Sequence, residues 1–261
     1  MRLIMVEKPY TFRLLTTGRK SAYCNMGLDE AIMESVAAGT SLPVLRFYGW
    51  QPKAVSVGYF QGLAEEVDLE ACGRHGVDVV RRITGGGAVF HQQELTYSII
   101  LGCGHPLAGE GIQDSYRILC AAIVRGLAVL GLDSHFAPIN DIICRGRKIS
   151  GNAQTRRMGT VLQHGTIILD LDVDLMFGLL KVPREKLKGR IIREVKERVT
   201  SLKEQGVGSD FGEVQAAMIR GFAEALSLEF DAEAGISAAE NARAEELART
   251  KFSSAEWLYR R

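Results

Sequence analysis

The sequence predicts an α+β domain in which mixed or antiparallel sheets are flanked by helices. Three observations point there. Short β-rich runs bounded by turn residues recur over residues 43–101 and again over 140–169. Long stretches with apolar residues at three- and four-residue steps separate and follow them, above all 112–130 and 211–226. No internal repeat or low-complexity segment interrupts the pattern.

Taken in order, residues 21–38 set Met26, Ile32, Met33 and Val36 at helical spacing with Asp29, Glu30 and Glu34 between them, an amphipathic helix. Residues 43–48 and 54–60 are β-rich and separated by Gly49-Trp50-Gln51-Pro52, so a hairpin is expected. A helix over 67–76 ends at Gly76, and a strand over 77–82 runs into Gly85-Gly86-Gly87. The next strand, 88–91, is expected to form a hairpin with 95–101 across Gln92-Gln93-Glu94. Residues 112–130 read as a core helix closed by Gly131. Strands at 140–144, 148–150 and 161–169, broken by turns at Arg145-Gly146-Arg147 and Arg156-Arg157-Met158-Gly159, suggest a second sheet region. From Val173 onward the pattern is helical. Pro183 opens a basic helix running through Arg198, 211–226 has an apolar face, and 238–250 is charged and alanine-rich.

A chain of 261 residues buries a substantial core without external staples. Lys+Arg 32 against Asp+Glu 31 gives a net charge of +1, so no global field recruits nucleic acid or an anionic membrane. No apolar run reaches the roughly 20 residues of a membrane span. Glu7, Lys8 and Arg13 interrupt any signal-peptide core, so a cytoplasmic protein is expected. Cys24, Cys72, Cys103, Cys120 and Cys144 are scattered, with no C-x-x-C pair, which argues against disulfides and zinc and leaves no metal site assigned.

The most informative stretch is Arg81-Arg82-Ile-Thr-Gly85-Gly86-Gly87-Ala88-Val89-Phe90-His91. Bare glycine backbone lets successive N–H groups approach phosphate or carboxylate oxygens, and a guanidinium adds a fork suited to the same oxygens. The alternative is a tight hairpin turn whose glycines only permit positive φ. Neither the phosphate-loop nor the dinucleotide fingerprint is present. The second stretch is Asn140-Asp141-Ile-Ile-Cys144, a turn, then Lys148-Ile-Ser150-Gly151-Asn152-Ala-Gln. Strand alternation puts Asn140, Ile142 and Cys144 on one face and Asp141 and Ile143 on the other, so Asp141 need not face a site. A lysine beside small residues can reach into a pocket as a compact charge, or be a solvated turn lysine. His91 and His164 read either as hydrogen-bonded structural histidines or as bases. Cys144, in a strand interior, reads as a small buried hydrophobe.

Together the two stretches resemble the lipoate-protein ligases of the biotin/lipoate ligase superfamily, over nearly the whole chain. Arg81-Arg82-x-x-Gly-Gly-Gly-Ala-Val-Phe-His is similar to that family's acyl-adenylate loop, and Asn140-Asp-Ile with Gly146-Arg-Lys-x-Ser-Gly-Asn-Ala-Gln to its lysine motif. The resemblance implies the catalytic-domain fold of that superfamily over 1–235, with a short helical tail over 236–261 in place of a full accessory domain. It implies Lys148 as the essential lysine. Arg82, Gly85, Gly86, Gly87, Ala88, Val89, Phe90 and His91 would bind nucleotide and acyl group, as would Asn140, Ser150, Gly151 and His164. ATP and Mg²⁺ would convert lipoate or octanoate to an acyl-AMP such as lipoyl-AMP, and a lysine of a lipoyl-domain protein would displace AMP. That acceptor would be a 2-oxoacid dehydrogenase acyltransferase subunit, the glycine cleavage H protein or a similar protein. A separate accessory ligase subunit would complete activation.

Phe47-Tyr-Gly-Trp-x-Pro, Ser56-Val-Gly-Tyr-Phe-Gln, Glu94-Leu-Thr-Tyr-Ser, Gln154-Thr-Arg, Leu162-Gln-His-Gly and Glu256-Trp257 instead resemble the cysteine-dependent octanoyltransferases. That family moves an octanoyl group from an acyl carrier protein without ATP. Its nucleophilic cysteine has no counterpart here, since the corresponding neighbourhood falls near Asp133. On this ground the sequence favours an ATP-dependent ligase, with the transferase as the alternative and a non-catalytic acyl-binding module as a third reading.

Overall fold

The computed structural model describes residues 9–181, 188–231 and 234–261. Two sheets organise the chain. The larger has eight strands in the order β11-β1-β2-β6-β10-β9-β8-β7, and the smaller has three in the order β4-β3-β5. In chain order the strands are β1 Tyr10–Lys20, β2 Val44–Trp50, β3 Ala54–Val57, β4 Asp78–Arg81, β5 Val89–His91, β6 Gln93–Gly102, β7 Ser134–Ala137, β8 Asp141–Cys144, β9 Arg147–Arg157, β10 Thr160–Asp170 and β11 Leu228–Asp231. The helices are α1 Ala22–Ala37, α2 Leu63–Glu66, α3 Leu69–Arg74, α4 Ile112–Val129, α5 Val173–Leu179, α6 Lys188–Arg198, α7 Phe211–Leu226, α8 Ala238–Leu247 and α9 Ala255–Leu258. Pro183, expected to open the basic helix, lies outside the described residues. Both sheets are mixed: β1 runs parallel to β2 and β11, and β3 parallel to β4, while the other pairings are antiparallel.

The large sheet is covered on both faces, so its central strand β6 is buried almost from end to end, polar Glu94, Thr96 and Ser98 included. Leu95, Tyr97, Ile99 and Leu101 point into a core shared with α4 and α7. Ile100 points the other way, with Tyr48 and Leu162, against Ile32 and Met33 of α1. The α4 and α7 backbones meet at Gly126 and Gly221, where a side chain on Gly221 would collide with the backbone of Gly126. On the other face α8 lies along α1, and a Cβ on Gly27 would come within 2.5 Å of the Ala244 carbonyl oxygen. The tail after residue 236 is tied down there. Glu240 closes the α8 capping box with Ser237 and pairs with buried Arg13 at 2.7 Å. The small sheet packs on α3 and α5 through Val55, Val57, Val79, Phe90 and Leu179. No described helix is long and apolar enough to cross a membrane.

Both expected hairpins are corrected. β2 and β3 belong to different sheets, as do β5 and β6, so in each case the short link carries the chain from one sheet to the other. The strands β8, β9 and β10, expected to start a second sheet, instead extend the large one. These crossings put the glycine loop between β4 and β5 opposite the face of β9 and β10.

Candidate active site

A cleft of about 350 Å³ opens between the two sheets. One wall comes from the glycine loop and β5, with Arg82, Gly86, Gly87, Ala88, Val89, Phe90 and His91. The facing wall comes from the turn before β8 and from β9 and β10, with Asn140, Lys148, Gly151, Asn152 and His164. Met26, Trp50, Ile168, Met176, Val195 and Val199 make much of the remainder apolar. Nearly every residue singled out from the sequence borders this space. Gly85 does not, although its carbonyl accepts from the Arg82 guanidinium at 2.7 Å. Ser150 is fully buried beside the cleft without bordering it.

Lys148 is the exposed cation of the site. Its Nζ lies 2.7 Å from Asp141 Oδ1, with both side chains about one-third exposed. As expected from strand alternation, Asp141 does not border the cleft itself: Ile142 and Cys144 are buried while Asp141 and Ile143 are half-exposed, and the register shift between Ile142 and Ile143 leaves Ile149 of β9 as the extra residue. Gly151 makes room for the pair. A Cβ on it would lie 2.8 Å from both Cε and Nζ of Lys148, so the lysine stem crosses its bare backbone. Asn140 and Asn152 clamp each other: Asn140 Nδ2 donates to the Asn152 carbonyl, and Asn152 Nδ2 donates to the Asn140 carbonyl at 2.8 Å. Tyr97 Oη donates to Asn152 Oδ1 at 2.8 Å and fixes that amide.

Arg82 is 4% exposed and meets no carboxylate among the described residues. Its guanidinium donates to the carbonyls of Ser56, Gly85 and Gly87 and to the hydroxyls of Ser56 and Thr84, at 2.7 to 3.1 Å. The fork expected to clasp a ligand thus holds the glycine loop in shape. Burial lowers its pKa to about 10, which leaves it charged at neutral pH beneath the loop. Arg81 points away and clamps the carbonyls of Gly58, Gln61 and Leu258. Of the three glycines only Gly86 has a positive φ, +94°. The loop joins β4 and β5, which flank β3 and do not pair, so it is not a hairpin turn.

Behind the walls runs a buried polar network that sequence reasoning did not assemble. Asp29 of α1 pairs with fully buried Arg46 at 2.6 Å and accepts from Tyr48 and Ser98. Burial pushes its carboxyl up, but Arg46 and His164 outweigh that and hold it below the usual value. His164 Nδ1 lies 3.6 Å from Asp29, and its Nε2 lies 2.7 Å from Thr84 Oγ1. Burial lowers the His164 pKa, so the ring is neutral at neutral pH. His91 Nδ1 is 2.6 Å from Glu94 Oε1, and its Nε2 is 2.7 Å from Ser56 Oγ. Both histidines are hydrogen-bonded and both border the cleft. Ser56 and Glu94 carried a signal, since each lies in a motif resembling the octanoyltransferases, but nothing in their spacing brings them to His91.

Cys144 is fully buried in β8, as its strand position predicts, and burial pushes its thiol up. Cys72 and Cys120 are also buried, and Cys24 and Cys103 are exposed away from the cleft, which no cysteine borders. Among the described residues no group of three His, Cys, Asp or Glu side chains could hold a metal ion.

A family model, the lipoyl protein ligase A/B catalytic domain, matches residues 21–223. Octanoyltransferase LipM of Geobacillus kaustophilus (strain HTA426) is 39% identical over 269 aligned residues, covering 92% of this chain and 96% of that protein. A solved structure described as a bi-partite lipoate protein ligase and its E2 lipoyl domain from Thermoplasma acidophilum matches with TM-score 0.87 and 35% identity over 96% of both chains. Lipoate-protein ligase A bound with ATP matches with TM-score 0.81 and 33% identity, over 96% of this chain and 98% of that one. The expectation of an ATP-dependent, acyl-AMP-forming ligase is corrected by these relatives. LipM and further relatives of that name, at 36% to 39% identity, are octanoyltransferases. The physical reason is that a glycine loop and a lysine can neutralise charge on a thioester carbonyl as well as on an acyl phosphate, so the motifs do not discriminate.

Proposed function

Because the chain belongs to the lipoyl protein ligase A/B catalytic-domain family, we propose that it is an acyltransferase that passes an octanoyl group from a carrier-protein thioester to a lysine of a lipoyl-domain protein without ATP. The acceptor would be a 2-oxoacid dehydrogenase acyltransferase subunit, the glycine cleavage H protein or a protein of the same kind. The likeness to relatives named octanoyltransferase, at 36% to 39% identity, carries this reading, and the cleft suits it. A single cleft combines an apolar interior with Lys148, the bare backbone of Gly86 and Gly87, and the buried charge of Arg82.

Each part answers a need of acyl transfer. Burying an eight-carbon chain against Trp50, Ile168, Met176 and Val199 supplies roughly 0.8 kcal/mol per methylene, enough to hold a medium-length acyl group through its tail. The thioester carbonyl then sits where polarity begins. Attack on that carbon moves charge onto the carbonyl oxygen, and Lys148 and the loop N–H groups are fixed donors for it. Asp141 holds the Lys148 amine in place at 2.7 Å, and Asn140 and Asn152 brace the turn behind it.

The test offers octanoyl-carrier protein and a lipoyl domain without nucleotide, and in a parallel arm octanoate with ATP and Mg²⁺, reading acceptor mass by mass spectrometry. Octanoylation from the thioester in the absence of ATP is the expected result. Modification only in the nucleotide arm would overturn the reading.

A further inference from the structure

We propose that Ser56, with His91 and Glu94, forms a nucleophile–base–carboxylate triad that carries the acyl group as a serine ester between donor and acceptor. The inference rests on the acyl-transfer reading above and names how the transfer proceeds.

The geometry is that of an activated hydroxyl. Ser56 Oγ lies 2.7 Å from His91 Nε2, and His91 Nδ1 lies 2.6 Å from Glu94 Oε1. An ionised carboxylate only accepts, so the Nδ1 proton belongs to the bond with Glu94, and the Nε2 lone pair is left to receive the serine proton. The triad is held on all sides. Trp50 stacks on the His91 ring with centroids 4.0 Å apart and planes at 18°. Its Nε1 donates to Thr96 Oγ1 at 2.8 Å, which in turn donates to Glu94 Oε1 at 2.8 Å. Arg82 adds the remaining element. Its Nη1 lies 3.1 Å from Ser56 Oγ, so a buried positive charge beside the hydroxyl eases the loss of its proton.

Position favours the same role. β3 alternates, with Val55 and Val57 in the core of the small sheet and Ser56 on the cleft side. Ser56 is 1% exposed yet borders the cleft, so it is reached from the acyl site and shielded from bulk water. That shielding protects an ester from hydrolysis until the acceptor arrives. All five cysteines lie away from the cleft, so none can take this part.

In the first half-reaction Ser56 Oγ bonds to the thioester carbonyl carbon as its proton passes to His91 Nε2. The tetrahedral adduct collapses with breakage of the carbon–sulfur bond, and the departing sulfur takes the proton from His91. In the second half the neutral acceptor amine bonds to the ester carbon and gives a proton to His91. The carbon–Oγ bond breaks, Ser56 recovers that proton, and an amide is left on the lysine. Overall one thioester and one amine give one amide and one thiol.

The protein is mixed with octanoyl-carrier protein alone and examined by intact mass and peptide mapping, and transfer to a lipoyl domain is then measured for wild type, Ser56→Ala and Ser56→Cys. The expected result is one octanoyl group on Ser56 in the wild type, discharged when acceptor is added. Ser56→Ala should lose the adduct and at least about a hundredfold in transfer. Ser56→Cys should regain an adduct, now a thioester cleaved by neutral hydroxylamine. Rapid transfer by the wild type with no adduct at any quench time would overturn the serine and leave acyl transfer standing, and so would a folded Ser56→Ala with near-normal transfer. Neither adduct nor transfer from the thioester would overturn both.

Discussion

Lys148 and Gly151 show how little stability is at stake at the residues that matter most for chemistry. The Lys148–Asp141 pair is about one-third exposed, where an ion pair is worth about 1 kcal/mol or less. Lys148→Ala is therefore expected to leave the unfolding midpoint almost unchanged while lowering octanoyl transfer by about a hundredfold or more. Parallel denaturation and transfer assays check this, and near-normal transfer would remove Lys148 from the mechanism. Gly151→Ala asks the same question without touching the charge. Its new Cβ would meet Cε and Nζ of Lys148 at 2.8 Å, the far end of a flexible side chain that can swing aside. Transfer should drop roughly tenfold with stability retained, and a Lys148→Ala/Gly151→Ala double variant should be no worse than Lys148→Ala, because both act through one amine. Gly86→Val differs in kind. At φ +94° a β-branched residue is strained, and its Cβ would lie 2.9 Å from Arg82 Nη2, so loss of activity should come with a loss of about 1–3 kcal/mol.

Among the elements, the helices were legible and the strand partnerships were not. Apolar spacing located α1, α4 and α7 closely because each helix writes its own period into contiguous residues. A strand writes only its alternation, and its partner can lie anywhere. Gly49-Trp50-Gln51-Pro52 has the composition of a hairpin link, yet β2 goes on to pair β1 and β6 while β3 joins β4 and β5. The polar Gln92 link misleads for the same reason, and β1, β7 and β11 carried too little pattern to be read at all. The candidate site divides along this line. The glycine loop and the Lys148 turn are local motifs and were found, whereas Ser56 and Glu94 meet His91 only through the pairing of strands, and Asp29 comes behind the site through the packing of α1. The α8 helix allows a prediction at this level. Glu240 caps α8 and pairs with Arg13 across to β1, with both side chains buried. Glu240→Ala strands a buried guanidinium and should cost about 3–5 kcal/mol in chemical denaturation, with α8 loosening from α1. Amide exchange in 238–247 should rise together with that in α1, and a change of less than about 1 kcal/mol would show that the tail contributes little.

At the scale of the whole molecule, the buried network from Asp29 through His164, Thr84 and Arg82 joins α1, the large sheet and the small sheet in one hydrogen-bonded path, so its protonation state belongs to the folded protein as a whole. His164 is the member whose ordinary pKa lies nearest neutrality. Its folded pKa is lowered, first by burial and further by the charge of Arg82, against a usual value of 6.5. The unfolded chain therefore takes up a proton as the pH falls below about 6.5, while the folded protein does not until a lower pH, and uptake by the unfolded state alone favours unfolding. Stability should be level above that point and decline through the window between 6.5 and the depressed folded value. Asp29 acts in a separate window. Its folded pKa lies below 3.8, so its contribution is present above that value and is lost only as the pH falls through the lower folded one. Denaturant midpoints for the wild type and His164→Gln, measured from about pH 7.5 to about pH 5, separate the two, since glutamine keeps a polar partner for Thr84 but cannot titrate. The variant should be less stable at pH 7.5 yet show a flatter profile down to about pH 5, with the steep loss deferred to the acidic range where Asp29 is protonated. An equal slope in both proteins would assign the decline to groups outside this network, and a rise in wild-type stability on acidification would reverse the sign argued for His164.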